Sequence, residues 1–329
     1  MFYELALLLC LAVFFIVLAC GEILCAAGLW MIRRSLDRAT PRTSANLLFA
    51  LRILPLLLAL SVTLGFALPA FLRFEPHSSG ELIGFRLFVL ATLGAMVVAL
   101  AAVRCWRVLG ATHRAQKEWH SHAERLQQEG VTLPVYCADG ACPLLAVTGL
   151  FRPKILVSRA VRQNLSPGEL SAALAHEMAH VSAFDNLKQL LLKVTQPPQW
   201  LGLFRASDAA WLNVSEMAAD EGALAKGASA LDLSSALVKV GRLSRQLPMN
   251  KMIAASHLLP IAAESSIAMR ITHLEKLLGN EELAGRRSSN PTPKRFRMLG
   301  PLLLLLLAYG ICLHAVLPWM HETLEILVR

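Results

Sequence analysis

Ser166-Pro167-Gly168-Glu169-Leu170-Ser171-Ala172-Ala173-Leu174-Ala175-His176-Glu177-Met178-Ala179-His180-Val181-Ser182-Ala183-Phe184 is the most informative stretch of the chain. It opens as a helix start, with Ser at the N-cap, Pro at the first helical position and Glu three residues on to complete a capping box. The Ala- and Leu-rich run that follows carries the helix forward. Within it stands His176-Glu177-Met178-Ala179-His180. Residues four apart on a helix share a face one turn apart, so the two imidazoles can converge on a single ion. Glu177 is displaced to meet a water beside that ion. Two nitrogens plus an oxygen suit zinc, and a catalytic site leaves one position for water. Chance would place this pattern about 0.016 times in a chain of this length and composition. The competing reading is a helix with a satisfied histidine pair.

A third ligand separates the two. Downstream, on a segment of helical composition, comes Glu216-Met217-Ala218-Ala219-Asp220. Glu216 can supply the oxygen from a neighbouring helix. Asp220, one turn along on the same face, can accept the free N–H of a ligand histidine. Read alone, Glu216, Asp220 and Glu221 would pass for a solvated helix face.

On the N-terminal side, Val131 to Cys137, Leu144 to Thr148 and Lys154 to Ser158 are short β-like runs separated by Asp139-Gly140 and Arg152-Pro153 breaks. They predict a small sheet. Pro134 removes a ladder donor, which makes the first run an edge strand at best. Cys137 and Cys142 flank the Asp139-Gly140 turn, and two thiols alone do not close a zinc site. The polar stretch His113 to Gly130 reads as a helix continuing into solvent, its His113, His120 and His122 mixed with Lys117, Glu118 and Arg125.

Composition sets the wider frame. Of 329 residues 55% are hydrophobic and only 17% charged, mean hydropathy is +0.52 and the formal net charge is +9. That balance excludes an ordinary soluble protein, disorder and a disulfide scaffold. The apolar surplus sits in residues 5–32, 53–72, 82–103 and 298–320, each long enough to cross a ~30 Å hydrocarbon core. The predicted organisation is three transmembrane helices within 1–110, a cytosolic domain over 111–297, a fourth transmembrane helix over 298–320 and a short external tail over 321–329. Arg33, Arg34, Arg38, Arg42 and Arg52 follow the first span, Arg104 and Arg107 the third, and Arg286, Arg287, Lys294, Arg295 and Arg297 precede the fourth. The positive-inside rule puts both termini outside and the large domain in the cytosol. These boundary segments carry roughly +11 and the domain roughly +1, so the charge is topological and predicts no nucleic-acid partner.

No cation precedes the first apolar run and several follow it, the pattern of a retained span rather than a cleaved signal. Glu22 inside that span reads either as a polar contact or sensing site within the bundle, or as a side chain snorkelling to the interface. His314 in the fourth span has the same two kinds of reading, proton sensing or simple packing.

The residues now quoted resemble the BlaR/MecR-type integral-membrane zinc metallopeptidases, which are gluzincins of β-lactam sensor-transducers. The shared features are Gly149-Leu150-Phe151-Arg152-Pro153-Lys154-Ile155-Leu156-Val157, Leu165 to Leu170, the HExxH with Asp185-Asn186 beyond it, Glu216 to Asp220, and Arg270-Ile271. The HtpX and CAAX-prenyl-protease group is a more distant likeness. HtpX has spans between the HExxH and the third ligand, whereas Leu187 to Val214 here contains Lys188, Lys193, Pro197, Pro198, Arg205 and Asp208 and cannot span.

The resemblance implies a membrane protein of four transmembrane helices plus an α+β zincin, gluzincin-like, cytosolic domain with one Zn2+ per chain. It implies ligands His176, His180 and Glu216, general base Glu177, and Asp220 supporting a ligand histidine. It further implies that Leu144, Ala146, Thr148 and Gly149 lie on a sheet edge that holds the substrate as an added strand, a general way to grip an extended peptide. His257 and Arg270 stand as either oxyanion donors or structural residues, Arg270 in particular as a partner for an acidic residue that fixes the active-site helices. Asp185 would orient or cap a helix. The relatives' large extracellular β-lactam-binding domain follows the fourth span. Here only His321 to Arg329 follow, which shifts the expected stimulus away from antibiotic sensing in this chain.

The expected activity is therefore signal-responsive endopeptidase cleavage of a cytosolic or membrane-associated protein, with a transcriptional repressor as candidate substrate. The expected surroundings are a lipid bilayer, the bacterial plasma membrane by resemblance, and a partner that senses. The competing class is a non-enzymatic membrane scaffold with a structural metal site, which predicts that Glu177 is dispensable.

Overall fold

The computed structural model describes residues 2–36, 38–75, 84–120, 123–126, 131–138, 145–150, 152–197, 204–245, 264–284 and, near the end of the chain, 316, 318–320 and 322–323. The chain forms two compact units, one of Met1–Met31, Ala50–Ala102 and Arg287–Arg329, the other of Ile32–Phe49 and Val103–Arg286.

The first unit draws on α1 (Phe2–Leu36), α2 (Pro41–Val62), a π-helical turn (Thr63–Ala67), α3 (Leu68–Phe74) and α4 (Phe85–His120), of which the end of α1, the start of α2 up to Phe49 and α4 from Val103 on belong to the second. The stretches Phe2–Ile32, Pro41–Phe74 and Phe85–Arg114 are long and apolar enough to cross a membrane, in the places read from the sequence. The second begins earlier than its apolar core because Thr40 caps α2, its Oγ1 accepting the Thr43 N–H at 3.4 Å. Leu5, Leu9, Ala12 and Val13 of α1 pack with Ala67, Ala70, Phe71 and Leu87. Small residues allow close backbone approach, as hydrocarbon gives apolar side chains little reason to prefer each other. A Cβ on Gly94 would collide with the Leu11 backbone, and one on Gly21 would lie 3.2 Å from Pro55. Glu22 is half-buried and interacts electrostatically with the buried Arg52 of α2, which favours the polar contact within the bundle. The fourth span, 298–320, falls almost wholly outside the described residues, as do Leu144, Cys142, His257 and His314.

The second unit has a four-stranded mixed sheet of order β1-β2-β4-β3, from β1 (Ala123–Leu126), β2 (Val135–Ala138), β3 (Leu145–Thr148) and β4 (Lys154–Ser158). β2 and β4 are parallel, and the outer pairs antiparallel. Two readings of the sequence are corrected here. The polar helix stops at His120, and Ala123–Leu126 pairs with β2 as a strand whose Glu124 and Arg125 face outward. β2 is therefore internal rather than an edge. Pro134 lies just before it and takes part through its carbonyl, which accepts the Ile155 N–H at 3.0 Å.

Behind the sheet come α5 (Arg159–Asn164), α6 (Pro167–Ser182), α7 (Asp185–Val194), α8 (Arg205–Leu224), α9 (Ala230–Arg245) and α10 (Glu264–Ala284). α6 is the hub. Ala173 and Leu174 meet Val135, Val147, Ile155 and Val157 of the sheet and Ala236 of α9. Ala172 and Ala175 meet Ala223, Leu233 and Leu274. A helix enclosed on several sides needs small residues, which explains the alanines. Its start is the expected capping box: Ser166 Oγ accepts the Glu169 N–H at 3.2 Å and Glu169 Oε2 accepts the Ser166 N–H at 2.7 Å.

Candidate metal centre

α6 and α8 cross closely enough that a Cβ on Gly222 would lie 2.9 Å from the Ala179 Cβ. That contact joins Ala179, inside the HExxH, to a residue less than two turns beyond Glu216 on α8, and so brings Glu216 against the HExxH turn. His176 Nε2 and His180 Nε2 lie 3.1 Å apart. Glu216 places Oε2 3.5 Å from His176 Nε2 and Oε1 3.5 Å from His180 Nε2. One ligand atom from each of the three residues lies within 4.8 Å of the others.

The far sides of both imidazoles are held by carboxylates. His176 Nδ1 is 2.9 Å from Asp220 Oδ1, and His180 Nδ1 is 2.8 Å from Asp185 Oδ2. An ionised carboxylate only accepts, so each Nδ1 carries a proton and each Nε2 is the atom left to ligate. Two ring nitrogens facing each other at 3.1 Å need a shared proton or a metal ion between them. Two nitrogens ~2.0 Å from a tetrahedral zinc would stand about 3.3 Å apart, so the donor set fits the ion.

Electrostatics agree. Burial and the Arg270 cation disfavour a charged His176, yet its hydrogen bonds to Asp220 and Glu216 outweigh them and raise its pKa to about 9 in the metal-free site. That bound proton is what a metal would displace. Glu216 and Asp220 are both held well below the usual carboxylate range: burial opposes this, and the Arg270 guanidinium is the main force overcoming it. Arg270, 4% exposed, donates from Nη1 to Glu216 Oε2 at 2.8 Å, from Nε to Asp220 Oδ2 at 2.8 Å and from Nη2 to Asp220 Oδ1 at 2.6 Å. The geometry places Arg270 on the helices that hold the cluster, in the acidic partnership expected of its structural reading.

Glu177 stands beside the histidines. Burial pushes its carboxyl upward, against the pull of His176 and His180. Its Oε2 accepts the Val147 N–H at 3.2 Å, which ties it to the sheet edge. β3 is that edge, and alternation along an antiparallel pair decides which of its groups face outward. The Val147 N–H goes to Glu177 and its carbonyl accepts from Asn186 Nδ2 at 3.3 Å, so Val147 turns its backbone groups to the outer edge, where these two side chains hold them. Ala146 and Thr148, which the sequence reading put there, turn their backbone groups toward β4 by the same alternation. Gly149, at φ +94°, also offers its carbonyl to Asn186, at 3.4 Å.

Val147, inside the Leu144 to Thr148 run, and Asn186, which stands with Asp185 in the resemblance, have no role of their own in the sequence reading, and Asp185 was assigned only to orienting or capping a helix. The nearest signal was the acid five residues after His180. Phe184, between α6 and α7, adopts φ +56°, unusual for a bulky residue. It turns the chain so that Asp185 doubles back onto His180.

Apolar helices of membrane-crossing length together with a sheet-and-helix domain holding a His-His-Glu cluster define a membrane-associated metallopeptidase. Residues 77–274, more than half of the chain, match the family described as BlaR1 peptidase M56, and the protein belongs to that family. No curated protein and no solved structure matches it.

Proposed function

We propose that this protein is a membrane-anchored zinc endopeptidase that cleaves a cytosolic or membrane-associated protein in response to a signal. The observation that carries the reading is the convergence of His176, His180 and Glu216, with Glu177 beside them and each histidine held in the ligating tautomer by its own carboxylate.

His176 Nε2, His180 Nε2 and Glu216 would hold the metal. Zinc supplies Lewis acidity there, acidifying water and polarising a carbonyl. Glu177 takes the proton of the attacking water at its carboxylate and returns it to the leaving nitrogen, work suited to a carboxyl that burial pushes upward. Asp220 and Asp185 keep the imidazoles from rotating. Arg270 keeps Glu216 and Asp220 ionised and in place. The outer edge of β3 would receive the substrate as an extended strand, the peptide replacing Glu177 and Asn186 on the Val147 backbone groups, which fits a peptide without reading its sequence.

The arrangement of three spans, a domain over 111–297 and a fourth span over 298–320 gives a cytosolic domain with both termini outside, supported by the boundary cations. A cytosolic domain suits a soluble regulatory substrate such as a transcriptional repressor, with sensing supplied by a partner.

Glu177→Gln tests the reading. In the full-length protein it should keep zinc at the parent's stoichiometry and lose cleavage of itself or of a co-expressed candidate substrate by about 10²–10⁴-fold. Undiminished cleavage or unchanged biological output would sink the proposal in favour of a scaffold with a structural metal.

A further inference from the structure

The first turn of α7 makes three separate attachments. Asp185 holds His180, and Asn186 holds the Val147 and Gly149 carbonyls of the sheet edge. The third belongs to Lys188. Its Nζ lies 3.6 Å from Asp185 Oδ1, donates to Asn46 Oδ1 at 3.0 Å and sits 5.7 Å from the centroid of the Phe49 ring.

Asn46 and Phe49 are three residues apart in α2 and so share a face of that helix. α2 runs on from Phe49 without interruption into the apolar residues that end at Val62. At the other end of α7, the Gln196 carbonyl accepts from Arg104 Nη1 in α4, itself part of a membrane-crossing stretch. α7 is thus fastened at both ends to helices that continue into apolar segments, and at its first residue, Asp185, it grips a metal ligand.

The bland view of Lys188 and Asp185 is an i,i+3 pair on a helix surface, worth little. Burial and reach argue otherwise. The two side chains are 16% and 12% exposed, and the lysine's other partners lie 142 and 139 residues away in the chain. A carboxylate fixed through one oxygen can still swivel. With Oδ2 on His180 and Oδ1 facing an ammonium, its plane is set, and so is the direction in which it holds the imidazole. The ammonium is held in turn by the Asn46 amide oxygen and the Phe49 ring face.

We propose that Lys188 is a positioning residue through which the setting of α2 reaches the metal centre: it joins Asn46 and Phe49 to Asp185, and Asp185 to His180. The inference rests on the zinc reading of the site. It names a regulatory route, in which a rotation or shift of α2 that withdraws Asn46 and Phe49 loosens a metal ligand.

The test uses full-length protein in lipid nanodiscs, with zinc competed by a chromophoric chelator. Asp185→Asn should weaken zinc about tenfold or more. Lys188→Met should weaken it in the same direction by about threefold or more, Lys188→Arg should recover most of the loss, and Lys188→Met should add nothing in the D185N background. The pair N46A/F49L leaves Lys188 in place and should reproduce K188M, which keeps the test open if K188M folds poorly. Parent-like zinc affinity in K188M or in N46A/F49L overturns the proposal, as does independent multiplication of the K188M and D185N losses. A parent that takes up no stoichiometric zinc refutes the site reading itself, a different and separately visible result.

Discussion

Arg270→Met removes the guanidinium that bonds to both Glu216 and Asp220 of α8 while roughly preserving volume. The guanidinium makes three charge-assisted bonds, two to Asp220 and one to Glu216, at 2.6–2.8 Å. Asp220 is 0% exposed, so water cannot replace what is lost. Removing one partner of a buried ion pair costs about 3–5 kcal/mol, because the other charge is left uncompensated. For a unit of roughly this size that corresponds to a fall in Tm of about 6–20 °C. The assay is thermal denaturation of the metal-free full-length protein followed by near-ultraviolet circular dichroism, with R270M, R270K and D220N/R270M beside the parent. R270K keeps the charge but not the fork that meets two carboxylates, and should fall between parent and R270M. Converting Asp220 to a neutral amide as well should recover part of the loss, since the buried charge is gone. An R270M Tm within about 2 °C of the parent, or a double variant as unstable as the sum of the singles, would refute the argument that Arg270 holds these helices by charge.

Gly222→Ala carries a diagnostic sign: helix propensity alone would stabilise by about 1 kcal/mol, whereas a Cβ 2.9 Å from Ala179 Cβ should destabilise by about 1–3 kcal/mol. Melting curves should show a lower Tm, with zinc affinity reduced because Glu216 is carried away; a raised Tm contradicts the close crossing. Glu169 responds to pH in a defined direction: bonds from Lys239, Ser235 and the Ser166 N–H lower it from the ordinary 4.5 to about 2. A carboxylate depressed on folding contributes stability that is complete above the ordinary value and lost as pH falls through the folded one. Urea titrations should find E169Q less stable than the parent at pH 7 by about 1 kcal/mol, Lys239 being 41% exposed and therefore screened; the gap should close as pH approaches about 2. An unchanged gap at low pH would count against the capping interaction.

The residues that make the centre were legible because their chemistry is local or strongly typed. HExxH fixes two donors by helix geometry alone, and Glu216 with Asp220 repeats the same one-turn logic. Arg270 needed only buried acids to answer. What escaped depends on tertiary parity or on a single unusual dihedral. Val147, rather than Ala146 or Thr148, faces outward because of its register with Ile155, and a one-residue difference in register reverses every backbone group. β1 hides in a charged stretch because its two central residues, Glu124 and Arg125, are exposed and only Leu126 packs on the core. Asp185 meets His180 only because Phe184 adopts a left-handed turn, and the meeting of Lys188 with Asn46 across 142 residues leaves no local pattern. The membrane segments were clear from apolar length, but the early start of α2 lies in polar residues that hydropathy passes over.

The account stands or falls on whether His176, His180 and Glu216 hold zinc together. The direct measurement is the zinc-to-protein ratio of the purified full-length chain, by mass spectrometry of the metal, against H180A and E216A prepared identically. Equimolar zinc in the parent and near-complete loss in both variants is the predicted result. Full retention of zinc in E216A, or its absence from a folded parent, would contradict the claim.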